Sequence, residues 1–167
     1  MSQWVLLSYR LPREPSAPRI AVWRKLERLG VARLGDGLVA LPADARTREQ
    51  FDWLAEEIGE AGGSATLWLA EPGTPAQEHE VAADMRRARA AEYRAVIDEA
   101  AAAEPDPVRA VRRLRGDLRR IGRRDYFPPP ERDVARTAVE TLARAGQTGV
   151  GQTRAGQTGV GKTEVRA

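Results

Sequence analysis

Val31 to Leu41, VARLGDGLVAL, reads as two short strands joined by a tight turn. Its apolar runs flank Gly35, Asp36 and Gly37, residues that accept the positive φ a hairpin connection demands. Each side of this hairpin offers a helix and then a strand. Upstream, Ile20, Val22, Trp23, Leu26 and Leu29 recur at helical spacing, with Ser16 placed to cap the start, Pro18 in the first turn and Gly30 at the end. Before that helix, WVLLSYRL at Trp4 to Leu11 reads as a buried strand stopped by Pro12. Downstream, Asp44 or Thr47 can cap a helix carrying Phe51, Leu54, Ala55 and Ile58 on one face. Gly62 and Gly63 end that helix before a strand from Ser64 to Ala70. The order is βαββαβ. Right-handed crossovers leave few compact solutions, chief among them the ferredoxin-like arrangement of two helices on one face of a four-stranded antiparallel sheet.

After Pro72 the pattern becomes helical. Gln77 to Ala103 is one long stretch, broken by Glu104, Pro105, Asp106 and Pro107. A second helix follows, whose stripe of Val108, Val111, Leu114, Leu118 and Ile121 is surrounded by arginines with Asp117 the only acid among them. Tyr126, Phe127 and three prolines make a rigid break, and Glu131 to Ala145 carries a last short helix. The expected class is α+β: a ferredoxin-like domain over residues 1–71, an all-helical extension over 72–144, and a flexible low-complexity repeat tail over 145–167.

That tail holds AGQTGVGQTR followed by AGQTGVGKTE, and the second copy matches GxxxxGK[ST] through Gly156, Gly161, Lys162 and Thr163. A phosphate-binding loop needs a strand before it and a helix after it, so that backbone N–H groups and a helix dipole meet the phosphates. Here a helix and a repeat precede the motif, and the chain stops four residues later. Nucleotide binding is not expected, and disorder is.

Composition excludes other chemistries. There is no cysteine, so disulfides, thiolate metal sites and cysteine nucleophiles are absent, and His79 is the only histidine. No apolar run is long enough for a membrane span, and no signal segment is evident; a soluble, cytoplasmic protein is expected. His79 and the glutamates Glu56, Glu57 and Glu60 read as solvated helix positions, and no catalytic constellation emerges. Trp4, Trp23, Trp53 and Trp68 are expected in the core or at an interface. Tyr126 and Phe127 are expected to pack back on the core.

The net charge is only +3, yet lysine appears just at Lys25 and Lys162, so arginine carries the positive charge. An arginine-dense helix repels itself, and a polyanion relieves that repulsion while releasing counterions. Arg112, Arg113, Arg119, Arg120, Arg123 and Arg124 are therefore the first DNA-binding candidates, with Arg13, Arg19, Arg24 and Arg28 around the first helix next.

Several short motifs, taken in order, resemble the N-terminal domain of the chromate-resistance regulator family ChrB. They are the opening strand Trp4 to Pro12, WRKLERLG at Trp23 to Gly30, LVALP at Leu38 to Pro42, AEY at Ala91 to Tyr93 and RRDYF at Arg123 to Phe127, over roughly residues 4 to 144. The resemblance implies a non-enzymatic bacterial DNA-binding regulator of chromate-efflux genes. Its implied partners are operator or promoter DNA, chromate or another oxyanion, and a second copy in a homodimer, with no cofactor and no metal. Family members join this domain to a C-terminal sensing domain, which is expected to be missing here. The first half also resembles the small ferredoxin-like subunit of CRISPR adaptation complexes, but Arg10 stands where that family's metal-binding carboxylate would be.

Overall fold

The computed structural model describes residues 2–102 and 106–155. Among them the elements run β1 (Trp4–Arg10), α1 (Ser16–Leu29), β2 (Ala32–Gly35), β3 (Leu38–Pro42), α2 (Ala45–Glu60), β4 (Ser64–Ala70), α3 (Pro75–Ala101), α4 (Pro107–Gly122) and α5 (Glu131–Ala155). The result is a mixed α+β protein with one four-stranded antiparallel sheet, in the order β2-β3-β1-β4.

The hairpin forms as its residues dictate. Asp36 and Gly37 connect β2 to β3, Gly37 at φ 69° in the left-handed region. Its carbonyl accepts from the Tyr9 N–H at 2.7 Å, and a Cβ there would lie 2.3 Å from the Tyr9 carbonyl oxygen. Only glycine meets both demands. Asp44 caps α2 in a reciprocal box: its Oδ1 accepts from the Thr47 N–H at 2.6 Å, and Thr47 Oγ1 accepts from the Asp44 N–H at 2.9 Å. Thr47 also donates its hydroxyl to the Pro42 carbonyl at 2.7 Å, which is how a polar side chain sits fully buried beside apolar neighbours.

The chain divides into two compact units. The first comprises Met1–Ala91 with Ile121–Pro129, and the second Glu92–Arg120 with the chain from Pro130 onward. In the first, alternation along the strands sends Val5, Leu7, Val39 and Leu41 to one face, where they are buried with Val22 and Leu26 of α1 and Phe51, Leu54 and Ile58 of α2. Trp4, Leu6 and Ala40 line the other face beside Val81 of α3. In the second unit, Tyr93 and Val96 of α3, Ala110, Val111 and Leu114 of α4, and Ala135 and Val139 of α5 are buried.

The first compact unit takes in α3 as far as Ala91, where the sequence pattern draws its boundary after residue 71, and Val81 and Met85 of α3 pack with the sheet's core. Several expectations are corrected. Helix α1 starts at Ser16 itself, so Pro15 holds the cap position and no side chain caps it. Of the apolar residues on α1 only Val22 and Leu26 are buried, while Ile20 and Trp23 are exposed, since a helix lying on a sheet inters a narrow stripe. Trp53 and Trp68 are likewise exposed, leaving Trp4 as the one core tryptophan. Val108 is exposed: it sits in the first turn of α4, about 60° from Val111 but about 120–140° around the helix from Leu114 and Ile121. Helix α5 runs ten residues past its expected end, through Ala155, so the start of the repeat tail is helical; Gly146 is buried against Pro107, which continues the packing beyond Ala145. The phosphate-loop residues Gly156, Gly161, Lys162 and Thr163 lie outside the described residues.

Candidate nucleic-acid interface

Helix α4 carries Arg109, Arg112, Arg113, Arg115, Arg119 and Arg120 against the single Asp117. Its buried stripe of Val111 and Leu114 fixes where these arginines point. Residues seven apart share a helix face, so Arg112 and Arg119 fall together, with Arg115 between them, and Arg113 and Arg120 form another row.

The two rows have different surroundings. Arg112, Arg115 and Arg119 line a hollow of about 340 Å³ whose other wall includes Ala143, Gly146 and Gln147 of α5. Arg115 is bonded there to Glu140, at 3.0 and 3.2 Å to its two carboxylate oxygens. Arg112 and Arg119 are exposed and have no ion-pair partner among the described residues. The other row is engaged: Arg113 pairs with Glu99 of α3, and Arg120 with Asp117 one turn back. These are exposed pairs, individually weak. They still reduce the charge that row offers to a ligand. Also in the second unit, Arg94 donates to Glu131 at 2.5 Å, and this contact holds the Glu131 carboxyl below the usual carboxylate range.

Arg123 and Arg124 belong to the first unit, where their segment closes α1. Arg124 donates to the carbonyl of Glu27 at 3.1 Å, and Tyr126 donates its hydroxyl to the carbonyl of Leu29 at 3.1 Å. The last carbonyls of a helix lack intrahelical donors and carry the negative end of its dipole, so a guanidinium and a phenol satisfy them well. Arg46 lies over the Tyr126 ring, 5.6 Å from its centre, and donates to the Arg123 carbonyl at 3.4 Å. Phe127 stacks on Trp4 with ring centres 5.9 Å apart. Burial pushes the Tyr126 phenol above its ordinary value. The RRDYF segment is therefore a structural clamp, with Tyr126 and Phe127 turned into the fold. Arg124 serves the clamp and is half-buried, whereas Arg123 is exposed.

Arg13, Arg19, Arg24 and Arg28 are all exposed, and none has an ion-pair partner among the described residues. Three of them share α1 with the exposed Ile20 and Trp23. Arg28 faces a groove that also contains Lys25, Trp53 and the glutamates Glu49, Glu56 and Glu60 of α2, acids that lower its value as a phosphate contact.

Arg115 completes the three-arginine hollow yet was not among the candidates; its place three residues after Arg112 and four before Arg119 is the signal that points to it. His79 is exposed, its Nδ1 3.1 Å from the Pro75 carbonyl. No cluster of three metal-ligating side chains occurs among the described residues, and no helix there is long and apolar enough to cross a membrane.

The family model described as "Protein ChrB, N-terminal" matches residues 19–106. The match runs from α1 to the last residue before α4, a narrower span than the expected residues 4 to 144. No curated protein and no solved structure matches the chain. A match over more than half of the sequence, taking in the hairpin and the Asp44 capping box, makes this chain a member of the ChrB N-terminal family.

Proposed function

We propose that this chain is a DNA-binding transcriptional regulator of chromate-resistance type, acting in the cytoplasm on the operator or promoter of a chromate-efflux operon and catalysing no reaction. Family membership supports the chromate connection. The strand order β2-β3-β1-β4 within a βαββαβ succession supports a ferredoxin-like domain as its scaffold. The observation that carries DNA binding is the α4 hollow, where Arg112 and Arg119 present guanidinium groups with no ion-pair partner among the described residues. Guanidinium forks match phosphate oxygens, and a pair of them on one helix face can follow a nucleic-acid backbone.

The test is binding of the full chain to a labelled promoter fragment across a salt series. Wild type is expected to lose affinity linearly in log K against log salt, and Arg112→Gln with Arg119→Gln to flatten that slope by about two units. Arg113→Gln with Arg120→Gln, which removes arginines already paired, is expected to flatten it less. Absence of salt-dependent binding to any promoter fragment overturns the reading.

A further inference from the structure

The two edges of the sheet differ. The β2 edge has four residues, carries the charged Arg33 and is interrupted by a bulge between Arg33 and Gly35. Short length, charge and bulges are the means by which natural sheets block pairing with another chain. The β4 edge has none of them. Its seven residues, SATLWLA, contain no charge and no proline, and all seven pair with β1 in unbroken register. Among the described residues β4 makes main-chain ladder bonds to β1 alone, so its outward N–H and C=O groups face no strand. Trp68 is 57% exposed and Leu69 is 48% exposed, on opposite faces of this strand.

Helix α2, which packs on β4 and β1, has a charge order opposed to its own dipole. Arg46 and Arg48 occupy its first turn, where the capping Asp44 is the one acid, and Glu56, Glu57 and Glu60 crowd its last turns with no base. This placement is unfavourable for an isolated helix. Two of these groups are compensated within the chain: Arg46 lies over Tyr126, and Glu57 pairs with Lys25 of α1. Arg48, Asp52 and Glu56 have no ion-pair partner among the described residues. At 100° per residue Arg48, Asp52, Ala55 and Gly59 fall on the side opposite Glu57, hence away from α1 and toward the β4 edge. A Cβ at Gly59 would meet nothing, so that side is open.

We infer that β4 pairs antiparallel with β4 of a second copy of this chain, about a twofold axis through Leu67, making one continuous eight-stranded sheet. This register sets Leu67 against Leu67, Ala65 against Leu69 and Thr66 against Trp68, so each exposed apolar side chain gains a neighbour from the second copy. The same axis brings the two α2 helices side by side and antiparallel. With strands about 4.8 Å apart and α2 lying over β4 and β1, their axes fall roughly 10 Å apart, an ordinary packing distance. Small residues at Ala55 and Gly59 permit that approach. The basic start of each α2 then meets the acidic run of the other, with Arg48 facing Asp52 and Glu56 of the second copy. The inference rests on the edge and on α2, not on the DNA reading.

Sedimentation equilibrium of the full chain tests it, with far-UV circular dichroism as the fold control. Wild type is expected to be a dimer, and Trp68→Lys with Leu69→Lys, both on exposed side chains, to weaken it at least tenfold with an unchanged dichroism spectrum. Because the chain has no cysteine, oxidising a Leu67→Cys variant can link only two copies, and it is expected to do so efficiently. A Ser64→Cys variant is expected not to link, since the two positions 64 would lie roughly 20 Å apart along the strands. A chain that stays monomeric at high concentration overturns the inference. So does a dimer indifferent to the lysines, or equal cross-linking at 64 and 67. If Leu67→Cys fails to fold, the lysine variant decides.

Discussion

The Tyr126 hydroxyl donates to the Leu29 carbonyl across 97 positions of sequence, at 3.1 Å, and so ties the segment after α4 to the C-terminal end of α1. The same helix end receives Arg124, and Gly30 leaves it in the left-handed region at φ 68°. Arg124, Tyr126 and Phe127 thus act on fold stability, and their removal should leave DNA affinity unchanged wherever the fold survives.

Tyr126→Phe removes one partly buried hydrogen bond and leaves the Leu29 carbonyl without that donor. The expected cost is about 1 kcal/mol at neutral pH, read as a fall of roughly 2–4 °C in Tm. The pH dependence follows from the direction of the phenol's shift. Burial raises the folded value, so the contribution is fully present below the unfolded value near 10 and is lost as pH rises through the folded one. Melting wild type and variant at pH 7 and pH 11 should show the gap between them shrink at the higher pH. A constant gap would mean that the phenol titrates equally in both states.

Glu131 makes the opposite case. Its carboxyl is held low, first by the hydrogen bond from Arg94, so its contribution is present above the unfolded value near 4.3 and disappears as pH falls through the folded one. Arg94→Gln should lower Tm slightly near neutrality, and the two melting curves should converge as pH falls through the folded value. The effect is small because the pair is exposed. Curves that stay apart in acid would assign Arg94 a packing role.

Legibility in the sequence followed the range of the interactions. The hairpin, the Asp44 and Thr47 cap and the Phe51, Leu54 and Ile58 stripe are local patterns, and each is present where the residues indicate. Ile20 and Trp23 lie on the periodic face of α1 yet are exposed, because periodicity marks a helix face without telling how wide a stripe the sheet will cover. Which α4 arginines are paired depends in part on Glu99 and Glu140, which sit on other helices and share no spacing rule with Arg113 and Arg115. Gly146 of α5 packs against Pro107, a contact that no local signal in a glycine-rich repeat reveals.

Gly35 and Gly37 flank the same turn, and they should respond differently to the same change. An alanine Cβ at Gly35 meets nothing within 4 Å, and that residue has no positive φ. At Gly37 the backbone sits at φ 69° and the new Cβ would lie 2.3 Å from the Tyr9 carbonyl oxygen, a backbone atom that cannot swing aside as a side chain would. Relief would require displacing β1 from the turn, and that would also break the 2.7 Å bond from the Tyr9 N–H to the Gly37 carbonyl. Gly37→Ala should therefore cost on the order of 1–3 kcal/mol or more from strain and the lost bond together. Gly35→Ala should stay within about 0.5 kcal/mol of wild type. Urea unfolding of the two variants with equal m values checks both. A Gly37→Ala chain as stable as wild type would mean that β1 does not bear on the turn.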